Sequence, residues 1–202
     1  MEDIKPITVI DIAPGTRALG VAVYEGLHLI YYGIKEAGKH RVAHTPHSRA
    51  RQAAATVDQL IHKYQPQVMT IGRLNTVQQF SPKLRTITQH LTRLARHRRI
   101  IMRVYDPALV RRALYEEGRA TRVTTTKQIA TLYPELKRLA CDVSIWQQIY
   151  YARMFTAVAA GYLCARETSA LRERETLNAL TTNLNGVGEV KSNHTQYASS
   201  AS

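Results

Sequence analysis

Three short apolar runs open the chain and predict β-strands. Residues 7–12 (ITVIDI), 18–24 (ALGVAVY) and 28–34 (HLIYYGI) are rich in β-branched and aromatic side chains. The turn-forming pairs Pro14-Gly15 and Glu25-Gly26 separate them. Because strands joined by short turns pair with their neighbours, we expect an antiparallel three-stranded meander.

Helical and strand patterns alternate after the meander. Apolar residues recur at helical spacing from Arg49 to Tyr64, and Pro66 ends that helix. A buried strand is predicted at 68–71, an amphipathic helix with one basic face at 82–97, and a further strand at 100–104. This alternation indicates a layered α/β fold, and with the meander it predicts a mixed five-stranded sheet flanked by helices.

Further helices are expected in the C-terminal half. Asp106-Pro107 has the N-cap and first-turn residues that helices prefer, so Asp106 is expected to cap a helix rather than bind a metal. A short helix is predicted at Thr124–Leu132, and a long one from about Ser144 to beyond Arg166.

Length and apolar content predict the domain organisation. The 202 residues are 45% hydrophobic, which suffices for one well-packed domain. Beyond Leu177 the composition shifts to Asn, Thr, Ser and Gly, which bury too little apolar surface to offset the entropy of ordering. We therefore expect one domain at 1–177 and a disordered tail at 178–202.

Charge separates this chain from an average globular protein. It has 28 Lys and Arg against 15 Asp and Glu, a net charge of +13. Cations that neutralise phosphates release condensed counterions, so nucleic acid is the favoured partner, with a solubility charge as the alternative.

Cysteine usage and the N-terminus bear on the compartment. Cys141 and Cys164 are isolated, which argues against a zinc site or a disulfide framework. The start of the chain lacks the pattern of a signal peptide, and no run of eighteen apolar residues occurs. We expect a cytoplasmic protein with no membrane partner.

The positive charge is concentrated between Phe80 and Ala140, where fourteen Lys or Arg face four acids. Arginine predominates there, and its planar fork suits phosphate. We expect a basic face that reads the nucleic-acid backbone. Phe80 is a candidate for stacking on an exposed base, with core packing as the alternative. The proposed nucleic-acid-binding residues are Phe80, Lys83, Arg85, Arg96, Arg98, Arg99, Arg111, Arg112, Arg119, Arg122 and Lys127.

Three segments resemble the RuvC-type Holliday junction resolvases. Ile10–Gly20 (IDIAPGTRALG) is similar to the first hairpin of that family, and Tyr64–Gly72 (YQPQVMTIG) to its helix, proline and fourth strand. Thr126-Lys127-Gln128 resembles its basic segment before the terminal helices. The resemblance implies an RNase H-like fold and a homodimer, because a four-way junction has two-fold symmetry.

The same resemblance implies that the metal site is degenerate. The chemistry of the family needs several carboxylates to hold two divalent cations. Asp11 stands in the slot of the first aspartate and is the only retained acid, a catalytic and metal-ligand candidate. Gly72 occupies the slot of a glutamate, while Tyr150 and Arg153 occupy those of two aspartates. No Asp or Glu lies between Val143 and Arg166, so a shift of the alignment does not restore them.

We therefore expect a nucleic-acid-binding RuvC-like protein, for DNA of branched or structured form, that is catalytically inactive or severely impaired and needs no cofactor. One alternative is an active structure-selective endonuclease that uses Mg²⁺ and Asp11 with other acids, Glu36 and Asp142 being possible ligands. Another is a scaffold or regulatory subunit that binds an acidic protein. His40, His44 and His47 are close in sequence, but a solvated loop is favoured over a metal site there.

Overall fold

A computed structural model describes residues 5–36, 45–74, 76–115, 121–141 and 144–188 of the chain. Its strands are β1 (Thr8–Ala13), β2 (Ala18–Glu25), β3 (His28–Glu36), β4 (Val68–Gly72) and β5 (Ile101–Tyr105). Its helices are α1 (Pro46–Tyr64), α2 (Thr76–Gln79), α3 (Pro82–His97), α4 (Pro107–Leu114), α5 (Arg122–Leu132), α6 (Lys137–Cys141) and α7 (Ile145–Gly188), with a 3₁₀ turn at Pro134–Leu136.

The five strands form one mixed sheet in the order β3-β2-β1-β4-β5. β1, β2 and β3 pair antiparallel, which confirms the predicted meander. β4 joins β1 in parallel with Asp11 opposite Thr70, and β5 joins the far side of β4 in parallel. The predicted mixed five-stranded sheet is confirmed.

Helices cover both faces of the sheet. One face carries Ile10, Ile12 and Val21, which pack against the apolar sides of α1 and α3. The other face carries Val9 and Ala22, which pack against α4, α5 and the first part of α7. Because side chains alternate along a strand, Asp11 and Ala13 point to the α7 side with Val9.

Local sequence signals fix where the helices begin. Thr45 and Ser81 cap α1 and α3, and each accepts from a backbone amide and precedes a proline. Asp106 accepts from Ala108 N at 2.7 Å, so the predicted cap of α4 is confirmed. Thr121 and Thr124 form a capping box at the start of α5.

The strand directions give the sheet two distinct edges. β1, β3, β4 and β5 run in the same direction, so their carboxyl ends share one edge, which we call the carboxyl edge. The β1–β2 turn lies there, and the connections to α1, α3 and α4 leave from it. The opposite, amino edge holds the end of α3 and the start of β5. At about 3.3 Å per residue, β1 separates the two edges by roughly 17 Å.

The chain divides into two units, one up to Arg166 and one from Glu167. Helix α7 continues to Gly188, so residues 178–188, expected to belong to a disordered tail, are helical. Residues 162–185 contain no Gly or Pro. The helical hydrogen bonds can therefore continue beyond Leu177, where apolar residues become sparse. Residues 189–202 lie outside the described residues. Within the described part of the chain, no helix combines the length and the hydropathy needed to cross a bilayer.

Candidate nucleic-acid interface

Asp11 is buried at the centre of the sheet. Its side chain is 1% exposed, Thr70 Oγ1 donates to Oδ1, and Oδ2 has no hydrogen-bond partner. Helix α7 covers it through Gly161, where an added Cβ would lie 3.3 Å from Asp11 Cβ. Burial raises the pKa of this carboxyl well above its ordinary value, and the Thr70 hydrogen bond opposes that shift. Asp11 is therefore enclosed in the core.

Asp11 lies further from the carboxyl ends of the strands than Gly72 and Arg153, two other positions that the resemblance assigned to the metal site. Ile71 pairs with Ile12, so Gly72, the next residue along, stands beside Ala13. Arg153 precedes Gly161 by eight residues, about 12 Å along a helix. Gly72 and Arg153 thus lie at the carboxyl edge, where β1 presents Ala13. The interpretation of Asp11 as an available metal ligand is not supported by this placement.

Arg153 lies against the turn between β1 and β2. Its Nη1 donates to Pro14 O at 3.1 Å. A Cβ at Gly15 would lie 2.5 Å from Arg153 Cζ, and a Cβ at Gly20 would overlap the Arg153 main chain. Gly15 therefore leaves the space in which the Arg153 guanidinium lies, and Gly20 leaves the space for the Arg153 main chain. Tyr150, half-exposed, stacks edge-on against Tyr151 with the ring centroids 5.3 Å apart.

The side chains at these positions do not fit divalent cations. Mg²⁺ is bound through carboxylates in near-octahedral oxygen geometry. Ala13 and Gly72 offer no side-chain oxygen, Tyr150 offers a phenol, and Arg153 adds a positive charge. Within the described residues, no three His, Cys, Asp or Glu side chains form a candidate metal group.

The other proposed ligands are dispersed. Glu36 is exposed at the end of β3, and Asp142 lies outside the described residues, as do His40 and His44. The His47 ring centroid lies 6.2 Å from that of His90, and no third His, Cys, Asp or Glu of the described ranges joins the two in a metal group.

Four arginines surround the β1–β2 turn. Arg49 Nη1 donates to Thr16 O at 3.2 Å from the α1 side, while Arg153 holds the turn from the α7 side. Arg17 is exposed on the turn itself. Arg122 opens α5 near Arg153, and burial together with the Arg122 charge lowers the pKa of Arg153. We call Arg17, Arg49, Arg122 and Arg153 the turn cluster.

The turn cluster has no acidic counterpart among the described residues. Glu36 is the acid that the strand register brings nearest, opposite Ala18, and it forms no salt bridge with any of the four. The sequence-based set of binding residues did not include Arg17 and Arg49, because candidates were sought only where the positive charge is concentrated, between residues 80 and 140. Their positions beside Pro14-Gly15 and in the first turn of the next helix were the available signal.

Several predicted binding residues also belong to the carboxyl edge. Phe80 follows β4 and is 82% exposed, so the alternative of core packing is wrong. Lys83 and Arg85 are exposed in the first turn of α3. Arg111 and Arg112 lie in α4, which begins directly after β5 ends at this edge. Lys127 is exposed on α5, just over one turn beyond Arg122.

Three predicted binding residues lie at the amino edge instead. Arg96, Arg98 and Arg99 end α3 immediately before β5 begins. Arg98 forms a bidentate salt bridge with Asp58 of α1, and both N–O distances are 2.8 Å. Its guanidinium therefore already has a carboxylate partner. The predicted binding residues therefore lie at two opposite edges of the sheet, because the two ends of α3 lie at opposite edges. Arg119 lies outside the described residues.

Comparison with solved structures identifies the fold. The structure of Thermus thermophilus RuvC is 16% identical, with a TM-score of 0.59 over 77% of this chain and 92% of that one. T. thermophilus RuvC in complex with a Holliday junction substrate gives 0.63 at 16% identity over 81% and 96%. This chain has the RNase H-like fold. The yeast mitochondrial Holliday junction resolvase Ydc2, 12% identical, shares that fold at 0.52 over 84% and 86%.

The RNase H-like fold expected from the three sequence segments is thus confirmed. No protein-family model and no curated protein sequence matches the chain. In this RNase H-like sheet, the turn cluster occupies the carboxyl edge beside Ala13 and Gly72. Of the positions that the resemblance assigned to metal-binding carboxylates, Gly72 and Arg153 lie at this edge and Asp11 does not.

Proposed function

We propose that this protein binds branched or structured DNA through the carboxyl edge of its sheet. The observation that carries the proposal is the turn cluster, four arginines around one glycine turn with no acid among the described residues paired to them. One of the similar structures is a RuvC complex with a Holliday junction substrate, which supports nucleic acid as the partner.

The physical basis is the match between guanidinium groups and phosphates. Each arginine that neutralises a phosphate releases counterions, and its fork donates two parallel hydrogen bonds. Lys83 and Arg85 extend the positive charge along the same edge, toward the exposed ring of Phe80. An exposed aromatic ring beside cations suits a base that is unstacked at a branch point.

We further propose that binding occurs without strand cleavage and without a cofactor. A two-metal hydrolysis needs carboxylates that hold both cations, and the carboxyl edge offers Ala13, Gly72 and Arg153 in their place. Asp11 is enclosed by α7 and supplies no ligand at that edge. The proposed setting is the cytoplasm, where DNA is accessible and free thiols stay reduced.

A second copy of the chain is part of the proposal. The start of α7 exposes a set of large apolar side chains, three of them more than 60% exposed. These side chains are Ile145, Trp146, Ile149 and Tyr150. A four-way junction is two-fold symmetric, so two protomers related by the same symmetry would engage it equivalently.

The test is one gel experiment with labelled four-way junction and linear duplex, each with Mg²⁺, with Mn²⁺ and with chelator. We expect the junction to be bound in all three conditions, left uncut, and saturated by two protomers. Cleavage that requires metal and is lost in Asp11→Asn would contradict the inactive assignment. Absence of binding to either substrate would contradict the proposed function and favour an acidic protein as the partner.

A further inference from the structure

Arg153 has hydrogen-bonding capacity that its protein contacts do not use. A guanidinium has five N–H donors, and one of those in Arg153 is directed to Pro14 O. The group lies against Gly15, so one side of its plane is fixed by the turn. An arginine held in this way has lost part of its conformational entropy before a ligand arrives.

The surroundings of Arg153 add positive charge. Arg122 is close enough to lower the pKa of Arg153, an effect that comes after burial in size. Arg49 lies on the other side of the same turn through its bond to Thr16 O. No described acidic side chain is within salt-bridge distance of any of these three arginines. Like charges held together without a counterion favour an anion between them.

The carboxyl edge also leaves room for a ligand beside the guanidinium. A Cβ added at Gly72 would meet no atom of the described residues within 4 Å, so among them the end of β4 is open. Ala13 and Gly20 pair across β1 and β2 directly beneath Arg153 and present no polar side chain that would compete. A phosphate group can thus approach Arg153 along this edge.

We propose that Arg153, with Arg122 and Arg49, forms a phosphate-binding site that holds the nucleic-acid backbone at the β1–β2 turn without a divalent cation. The inference rests on the proposed function and specifies its chemistry. The protein's own guanidinium groups neutralise the phosphate, so the site does not require Mg²⁺ to bind it. The affinity of guanidinium groups for phosphates falls as the salt concentration rises.

The experiment measures the affinity of full-length protein for a labelled four-way junction by fluorescence anisotropy. It compares the wild type, Arg153→Gln and Arg122→Gln, each with chelator and with Mg²⁺. Arg166→Gln is the matched control, because Arg166 is an exposed arginine on the same helix, toward the amino edge. Thermal unfolding of each variant establishes that it folds.

We expect wild-type binding to persist in chelator and to be no stronger with Mg²⁺, which competes for the phosphates. Arg153→Gln should lose about ten- to a hundred-fold in affinity, as for a charge-assisted hydrogen bond. The slope of log affinity against log salt should fall by about one. Arg166→Gln should bind as the wild type does. Wild-type binding that disappears with chelator would overturn the inference together with the cofactor-free part of the proposed function. Unchanged affinity in Arg153→Gln would overturn the inference alone and leave junction binding by this protein standing.

A second arm separates failure of the site from failure of the proposed function. Inorganic pyrophosphate is titrated into the wild type and Arg153→Gln by calorimetry. If no nucleic acid binds but pyrophosphate binding depends on Arg153, the phosphate site stands and the nucleic-acid partner is wrong. If the wild type binds neither ligand, the phosphate site is wrong as well.

Discussion

Asp11 and Arg153 show how the setting of a residue decides its role. Asp11 has the residue type expected of a metal ligand, yet it lies beneath α7 with one carboxylate oxygen unpaired. Arg153 has a residue type that repels cations, yet it lies at the open end of the sheet against the Pro14-Gly15 turn. The Pro14-Gly15 motif predicts the turn, whereas only the position of each residue along β1 shows which side chain reaches the carboxyl edge.

Asp11→Asn should stabilise the protein in a pH-dependent manner. Burial raises the folded-state pKa of Asp11 above its ordinary 3.8, so the favourable contribution of the neutral carboxyl is complete below 3.8 and is lost as the pH rises through the raised value. The amide cannot ionise and avoids that loss. The gain should be about 1–3 kcal/mol at neutral pH, the cost of a buried polar group without compensation, and should shrink toward pH 4.

Thermal unfolding from acid to neutral pH checks this, with Glu36→Gln as the control because Glu36 is exposed. A loss of stability in Asp11→Asn that is the same at every pH would contradict the assignment of a buried, neutral carboxyl.

At the scale of elements, the hydrophobic pattern predicts most of what the structure shows. All five strands and helices α1, α3 and α5 begin and end within a few residues of their predicted bounds, because their apolar periodicity and caps agree. The end of α7 was missed, since composition measures burial and does not detect a helix that carries little buried surface. The close approach of α7 to β1 and β2 was also missed, because it depends on glycines far apart in sequence.

Gly161→Ala should destabilise the protein at that helix–sheet contact. The added Cβ would lie 2.7 Å from Tyr24 Cε2, and the Tyr24 hydroxyl is fixed by its hydrogen bond to Val158 O. The expected cost is about 1–3 kcal/mol from overpacking, measured as a shift of the urea midpoint. Gly72→Ala is the control and should stay within about 0.5 kcal/mol, since its Cβ meets nothing within 4 Å. Equal effects of the two substitutions would contradict the described packing of α7.

At the scale of the whole molecule, the net charge of +13 indicates a polyanion but does not show where it binds. The segment 80–140 contains cations that the fold separates. Lys83 lies at the start of α3, at the carboxyl edge, and Arg99 follows the end of α3, at the amino edge. Arg49, distant in sequence from that segment, contacts the β1–β2 turn that carries Arg17, and Arg153 contacts the same turn from α7. Long-range topology therefore decides which cations act together.

Two triple variants, compared in their affinity for a four-way junction, show which edge of the sheet holds nucleic acid. One replaces Arg17, Arg49 and Arg122 by Gln at the carboxyl edge, and the other replaces Arg96, Arg98 and Arg99 by Gln at the amino edge. Each removes three positive charges, so the change in net charge is matched.

We expect the carboxyl-edge variant to lose at least about a hundred-fold in affinity and about three from the slope of log affinity against log salt. The amino-edge variant should bind within a few-fold of the wild type. An equal loss in both variants, or a larger loss at the amino edge, would contradict the claim that the β1–β2 turn is where this protein holds nucleic acid.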